Sequence, residues 1–404
     1  MHKIYYKNTL AMKTLDHGQE KIIKHILNKE DCLGIMPTGA GKSICYQIPA
    51  LIFPGTTVVI SPLISLMKDQ VDTLNKKNIP SIYINSSLKT SEIKQIMQNA
   101  TINMYKIIYI SPERLQSIGF TDFLNSFPIS MVTVDEAHCI SQWGHNFRKS
   151  YLEISHYISK LNMRPVICAF TATATNIVKQ EITDILNLKN PYTLVTGFDR
   201  KNLFFYVIHI DNKLEFIVNY LKNNNNKCGI IYCLTRKSVD YLFYYLRSLS
   251  FSVIKYHGGM SEKQRNINQD NFISGKFSII IATNAFGMGI DKSNIRFVIH
   301  YNMPKDLESY YQEAGRAGRD LKNSECILLF SKSDITQNKF LIEYKKNKLN
   351  HLEEYKKLNN IISYCNTKKC LRKYILQYFG EKPNFDKCNY CSNCFYYNKY
   401  KNKP

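Results

Sequence analysis

The segment Met36-Pro37-Thr38-Gly39-Ala40-Gly41-Lys42-Ser43 sets two glycines, a lysine and a hydroxyl residue between an apolar run and a stretch of helical character. Glycines allow successive backbone N–H groups to wrap phosphate oxygens, the lysine reaches terminal phosphates, and the hydroxyl suits Mg²⁺. Thr38, Gly39, Gly41, Lys42 and Ser43 are therefore candidate ligands of a nucleoside triphosphate. The strict pattern of such a loop has glycine where Met36 stands. Far downstream, Val134-Asp135-Glu136-Ala137-His138 ends a second apolar run. An acid at the carboxyl end of a strand beside the phosphate loop can hold the Mg²⁺ shell, so Asp135 takes that role and Glu136 positions the attacking water. Adjacent acids at a strand end are otherwise ordinary solvated loop residues.

A different chemistry is written in Cys370-x₁₇-Cys388-x₂-Cys391-x₂-Cys394. Four thiolates with two CxxC steps satisfy tetrahedral Zn²⁺ in a reducing compartment, and one structural ion is expected. A chance cluster or a redox pair is the alternative. The remaining eight cysteines are scattered singly through apolar stretches and read as reduced, mostly packed thiols.

Strands must carry these loops. The apolar runs Cys32–Met36, Thr57–Ser61, Ile107–Ser111, Met131–Val134 and Val166–Thr171 alternate with helix-like segments. The rhythm restarts after Gly197-Phe198-Asp199-Arg200 with Gly229–Cys233, Ser252–Tyr256, Ser278–Ala282, Phe297–Tyr301 and Cys326–Phe330. Strands interleaved with helices predict α/β architecture with parallel sheets. The expected organisation is two such domains, 1–196 and 197–332, followed by a small helical zinc-binding module over 333–404. Asn223–Asn226 reads as an exposed loop. In the module, Leu349, Leu352, Tyr355, Leu358, Ile361 and Ile362 have helical spacing.

Charge narrows the partners. Lys and Arg number 54 against 32 Asp and Glu, a formal net charge of +22. Residues 331–404 hold 16 basic and 6 acidic residues, so 16 − 6 gives +10 in this short stretch. A clustered positive field favours a polyanion such as nucleic acid, although a lysine-rich surface also serves solubility. No run reaches the eighteen to twenty apolar residues of a membrane span, and the N-terminus lacks the apolar core of a secretion signal. The expectation is a soluble intracellular protein, cytoplasmic if bacterial or viral and nuclear if eukaryotic.

The phosphate loop and acid pair, with Ser61-Pro62-Leu63, Ser111-Pro112-Glu113-Arg114-Leu115 and Phe170-Thr171-Ala172-Thr173-Ala174, resemble the first motor domain of superfamily 2 helicases. Ala282-Thr283-Asn284-Ala285-Phe286-Gly287-Met288-Gly289-Ile290-Asp291 and Tyr311-Gln312-Glu313-Ala314-Gly315-Arg316-Ala317-Gly318-Arg319-Asp320 resemble the last two motifs of the second. Within that set, Arg316 and Arg319 are expected to share a helix face and reach across the interdomain cleft as arginine fingers. Gln312 is expected at the nucleotide. Cys139-Ile140-Ser141-Gln142-Trp143-Gly144-His145-Asn146-Phe147-Arg148 and the four-cysteine module resemble, more narrowly, the RecQ family. The resemblance covers nearly the whole chain.

It implies an ATP-dependent DNA helicase moving 3′ to 5′ on single strands, with ATP, Mg²⁺ and Zn²⁺ as cofactors and a role in recombination, repair or replication. Trp143 and Phe147 would stack unpaired bases and Arg148 would add charge beside them. Asn146 departs from the usual Asp of that loop. Gln19 stands where the family hydrogen-bonds adenine, but the usual Arg and Tyr partners are replaced by Asp16 and Met12. The expected partners are single-stranded and forked or tailed duplex DNA. By family analogy a single-strand-binding protein or a topoisomerase is added, and the chain is expected to act as a monomer. The sequence ends ten residues after Cys394, which leads us to expect a motor without the winged-helix hairpin that many relatives carry.

Overall fold

The computed structural model describes residues 15–37, 39–85, 88–117, 119–141, 148–287, 292–344 and 351–395. They form two compact units divided between Gly197 and Phe198. In the first, the strands are β1 (Cys32–Ile35), β2 (Thr56–Ile60), β3 (Ser81–Ile84), β4 (Ile107–Ile110), β5 (Ile129–Val134), β6 (Val166–Thr171) and β7 (Tyr192–Val195). They lie in the order β3-β4-β2-β5-β6-β1-β7. Neighbouring strands in this order pair in parallel, so each connection needs a crossover, which helices supply after each of β1 to β6. β1, β2, β4 and β6 are buried along their whole length, which explains why they read as unbroken apolar runs rather than alternating ones.

The second unit repeats the plan. Its strands are β8 (Leu203–His209), β9 (Gly229–Tyr232), β10 (Val253–Tyr256), β11 (Ile279–Ala282), β12 (Phe297–His300) and β13 (Ser324–Phe330), ordered β10-β11-β9-β12-β13-β8. Every strand read from the sequence forms, with ends shifted by at most two residues. Three more were not read. β3 and β7 are four-residue edge strands with half-exposed residues. β8 is a longer edge strand: its Tyr206 packs on the core of its own unit, while Phe204 is covered by a neighbour from far along the chain, meeting Tyr390 at 4.9 Å. Asn223–Asn226 forms a turn.

That neighbour is the cysteine-rich module, which packs into the second unit rather than standing apart. Its helices are Lys332–Glu343, His351–Asn366 and Leu371–Tyr378. Leu358 and Ile361 are buried and Leu352 is exposed; Leu349 lies outside the described residues. The buried Arg372 donates to Asp199 Oδ1 at 2.6 Å and to the carbonyls of Arg200 at 2.7 Å and Leu203 at 2.6 Å. Phe379 stacks on Phe198 with centroids 4.6 Å apart. A buried arginine needs such partners, because an unpaired guanidinium in a core costs several kcal/mol. No helix among the described residues is long and apolar enough to cross a membrane.

Candidate nucleotide and zinc sites

The phosphate loop leaves β1 and enters the helix Lys42–Ile52. Gly39 and Gly41 have φ of +88° and +72°, a region that favours glycine. A Cβ on Gly41 would also lie 2.5 Å from Gln19 Nε2. Met36, in place of the usual glycine, is fully buried and its sulfur is 3.8 Å from Cys45 Sγ. The position therefore serves the core, and the loop turns with its two remaining glycines. Lys42 Nζ donates to Met36 O at 3.2 Å, folded over the loop it would leave to meet a phosphate. Thr38 lies outside the described residues.

Gln19 is brought directly onto this loop: its Nε2 donates to Ala40 O at 2.9 Å. Its other end is also engaged, since Oε1 accepts from the Asp16 backbone N–H at 3.0 Å while Asp16 Oδ1 accepts from Gln19 N–H at 2.8 Å. This reciprocal capping box starts the helix His17–Leu27. The acid that looked out of place beside an adenine site is thus the N-cap of the helix. Met12 falls outside the described residues.

In the sheet, β6 lies between β1 and β5, which brings the phosphate loop, Thr171-Ala172-Thr173 and Asp135–Glu136 to neighbouring strand ends. Asp135 is buried, and its Oδ1 accepts from the Glu136 N–H at 2.9 Å. Burial first, and the Glu136 charge second, push its carboxyl up to about 7, with Lys42 pulling the other way. Glu136 holds φ at +48°, uncommon for a side-chain-bearing residue and typical of strain kept at working sites. Its Oε2 is buried without a hydrogen bond, 3.4 Å from His138 Nδ1. Hard oxygens, an under-neutralised buried carboxylate and the Ser43 hydroxyl across the loop are the donor set that Mg²⁺ fits.

Contacts around the acids were not read from the sequence as roles. His138 Nδ1 lies 2.8 Å from Thr171 Oγ1, and that hydroxyl also donates to Thr173 O at 3.1 Å. His138 therefore joins the end of β5 to the end of β6. Tyr151, fully buried, donates its hydroxyl to Asp135 O at 2.9 Å. Arg148 N–H donates to Cys139 O at 2.9 Å, closing the base of the segment that contains Trp143 and Phe147, which themselves lie outside the described residues. The Arg148 side chain donates to Pro62 O at 3.2 Å and lies 3.6 Å from Glu113. It bridges two of the sequence motifs.

In the second unit the expected shared helix face is corrected. The helix Leu307–Ala314 carries the buried Gln312 but ends before Arg316 and Arg319, which sit in successive turns over 315–320. Gly318, at φ +56°, and the i to i+3 bonds from Arg316 N to Glu313 O and from Ala317 N to Ala314 O account for the break. Arg316 is buried, its guanidinium laid over Gly287, where a Cβ would approach within 2.8 Å. Both arginines lie close enough to the buried Tyr232 hydroxyl to act on its ionisation.

The four cysteines Cys370, Cys388, Cys391 and Cys394 bring their sulfurs within 4.8 Å of one another. Tetrahedral zinc with Zn–S of about 2.3 Å sets sulfurs about 3.8 Å apart, so the cluster fits the ion after small adjustment. Cys370 caps the helix Leu371–Tyr378, accepting from Lys373 N–H at 3.4 Å, and Cys388 accepts from Tyr390 N–H at 3.3 Å. Hydrogen bonds from the Cys370 and Cys388 thiols hold Cys391 well below the ordinary thiol range. Cys365 is buried and outside the cluster.

Two parallel sheets in tandem, with a phosphate loop and paired acids at the strand ends of the first, define the fold class of the superfamily 2 helicase motors. The solved structure of S. cerevisiae Dbp5 bound to RNA and ADP BeF3 shares that fold, with a TM-score of 0.68 at 18% identity over 88% of this chain and 97% of that one. Three family models match in series: DEAD/DEAH box helicase over 16–181, helicase conserved C-terminal domain over 212–320, and RecQ zinc-binding over 332–395. The ATP-dependent DNA helicase RecQ of Bacillus subtilis is 49% identical over 93% of this chain and 64% of its own length. That of Pasteurella multocida is 40% identical over 93% and 59%. A putative ATP-dependent RNA helicase of Acanthamoeba polyphaga mimivirus is 40% identical over 93% and 68%. The chain belongs to the RecQ family of helicases. It spans less than two thirds of the length of these two bacterial relatives.

Proposed function

We propose that this chain is an ATP-dependent DNA helicase that moves 3′ to 5′ along single strands and separates duplexes, in recombination, repair or replication. The observation that carries the reading is the acid pair, Asp135 buried and Glu136 half-buried, at the end of β5, with only β6 between it and the strand that enters the phosphate loop. Lys42, Gly39 and Gly41, with Thr38, hold the triphosphate, and Ser43 with Asp135 holds Mg²⁺, which screens phosphate charge. Glu136 orients the attacking water and takes its proton. Its Oε2 lacks a hydrogen bond in the described structure, which leaves it open to that task. Gln19 contributes to adenine recognition, Gln312 to the nucleotide, and Arg316 and Arg319 neutralise charge developing on the γ-phosphate. Cys370, Cys388, Cys391 and Cys394 hold one structural Zn²⁺.

Trp143, Phe147 and Arg148 engage single-stranded DNA. Because His138, Arg148 and Tyr151 tie the base of their segment to the acids, strand occupancy is communicated to hydrolysis. The relatives' names support DNA over RNA, while the mimivirus relative's name favours RNA as a second reading. We further propose that the chain works as a monomer on forked or tailed duplexes, with a single-strand-binding protein or topoisomerase as companion. ATP turnover measured with single-stranded DNA and with RNA of the same sequence decides between the substrates: stimulation by DNA alone supports this reading, and stimulation by RNA alone overturns it.

A further inference from the structure

Arg316 is buried, and its Nε has no hydrogen bond among the described residues. Its guanidinium is therefore placed by what lies beneath it and by the turn that carries it. Beneath it is Gly287, where an added Cβ would lie 2.8 Å from Arg316 Nε and 2.9 Å from Cζ. The carbonyl just before that glycine is held from the sheet: the buried Tyr232 hydroxyl donates to Phe286 O at 2.9 Å. The turn has an anchor of its own. Arg316 N–H donates to Glu313 O at 3.2 Å, and the Glu313 carboxylate lies 2.8 Å from the buried His300 Nε2. A carboxylate only accepts, so Nε2 carries the proton and donates it.

Tyr232 and His300 are the last residues of β9 and β12, neighbouring parallel strands, and they stand side by side in register. Their rings stack with centroids 5.5 Å apart. One strand end thus holds the floor under the Arg316 guanidinium, and its neighbour holds the turn from which that side chain leaves. Packing accounts for the two rings but not for their polar atoms, which a core tolerates only when they are hydrogen-bonded and which then fix one geometry. We propose that Tyr232 and His300 are positioning residues for Arg316, Tyr232 through the Phe286 carbonyl and Gly287, His300 through Glu313. The inference rests on the reading of Arg316 as a group that neutralises charge developing on the γ-phosphate. That role needs a guanidinium fixed in advance, since a misplacement of about 1 Å can cost on the order of a hundredfold in rate.

The test is steady-state ATP hydrolysis by the full chain with saturating single-stranded DNA. The variants are Arg316→Ala, Tyr232→Phe, His300→Leu, His300→Gln, and Tyr232→Phe combined with Arg316→Ala. Arg316→Ala is expected to lower kcat by about a thousandfold. Tyr232→Phe and His300→Leu are each expected to lower kcat by about tenfold or more, with KM for ATP within about twofold of wild type. His300→Gln, whose amide still donates to Glu313, is expected to recover most of the loss seen with leucine. In the Arg316→Ala background Tyr232→Phe costs nothing further, because the side chain it positions is gone. An equal loss from Tyr232→Phe in both backgrounds overturns the proposal. So does wild-type kcat in Tyr232→Phe and His300→Leu while Arg316→Ala is slow, a result that leaves the role of the arginine standing. Wild-type kcat in Arg316→Ala removes that role and the inference with it. Should His300→Leu not fold, Tyr232→Phe in the two backgrounds decides by the same criterion.

Discussion

Glu136 combines a left-handed backbone with a buried, unbonded carboxylate oxygen, a costly arrangement that a purely structural residue would not need. Glu136→Gln keeps the shape and removes the proton acceptor. It is expected to bind ATP normally while turnover falls by roughly two orders of magnitude or more, read by comparing analogue binding with phosphate release. Near-normal release would assign the water to another group. Asp16 carries a different lesson. Read as a residue, it stands where a cation would stack on adenine; placed on its helix, it accepts from Gln19 N–H and closes a capping box. Asp16→Arg is therefore expected to cost about 1 kcal/mol, lowering the melting temperature by about 2–4 °C, and Asp16→Ser to retain most of the cap. Equal melting of the arginine variant and wild type in calorimetry would show that the cap carries no weight. The motif residues of the nucleotide site were legible because phosphate chemistry allows few alternatives. The roles of His138 and Tyr151 were not, because each depends on a contact made across strands or turns.

Strands buried on both faces announced themselves as apolar runs, whereas β3, β7 and β8 at the sheet edges did not. β8 is the informative miss, since the partner of Phe204 is Tyr390, and no local pattern reports a cover so distant in the chain. The end of the helix Leu307–Ala314 was misread for a local reason: two glycines flank Arg316, and turns replace the helical face on which the arginines were placed. The same helix carries Glu308 against the module. Burial, then the Asp306 carboxylate, push Glu308 up to about 7, partly offset by Lys357 and by a hydrogen bond with Tyr378. A carboxyl whose folded value exceeds its ordinary 4.5 binds its proton more tightly when folded, so this stabilisation is present at low pH and fades as pH rises through about 7. Glu308→Gln is expected to lack that slope and to gain on the order of 1–3 kcal/mol over wild type between pH 5 and pH 8. Thermal melts of the two proteins running parallel across that range would contradict it. For the module itself, Cys391→Ser should lower zinc content and soluble yield together, because structural zinc affinity is folding free energy on the order of 10 kcal/mol. Metal analysis of the purified wild type finding no zinc would remove the ion from the account.

At the scale of the whole chain, two sheets of the same plan carry different chemistry: phosphate loop and acids in the first unit, arginines and the cysteine module in the second. The module's attachment through Arg372, Phe379 and Glu381 to residues 198–203 makes it part of the second unit, a merger that a sequence divided by composition does not reveal. The net charge of +22 fits a polyanionic track, with contacts to phosphate that weaken steeply with salt. On the proposed reading, the acid pair drives separation of DNA strands. Strand displacement with ATP on 3′-tailed, 5′-tailed and blunt duplexes, run beside Glu136→Gln, tests it most directly. Wild type is expected to release the strand from the 3′-tailed substrate and the variant to release none. Release that persists in Glu136→Gln, or wild-type activity confined to 5′-tailed duplexes, would contradict it.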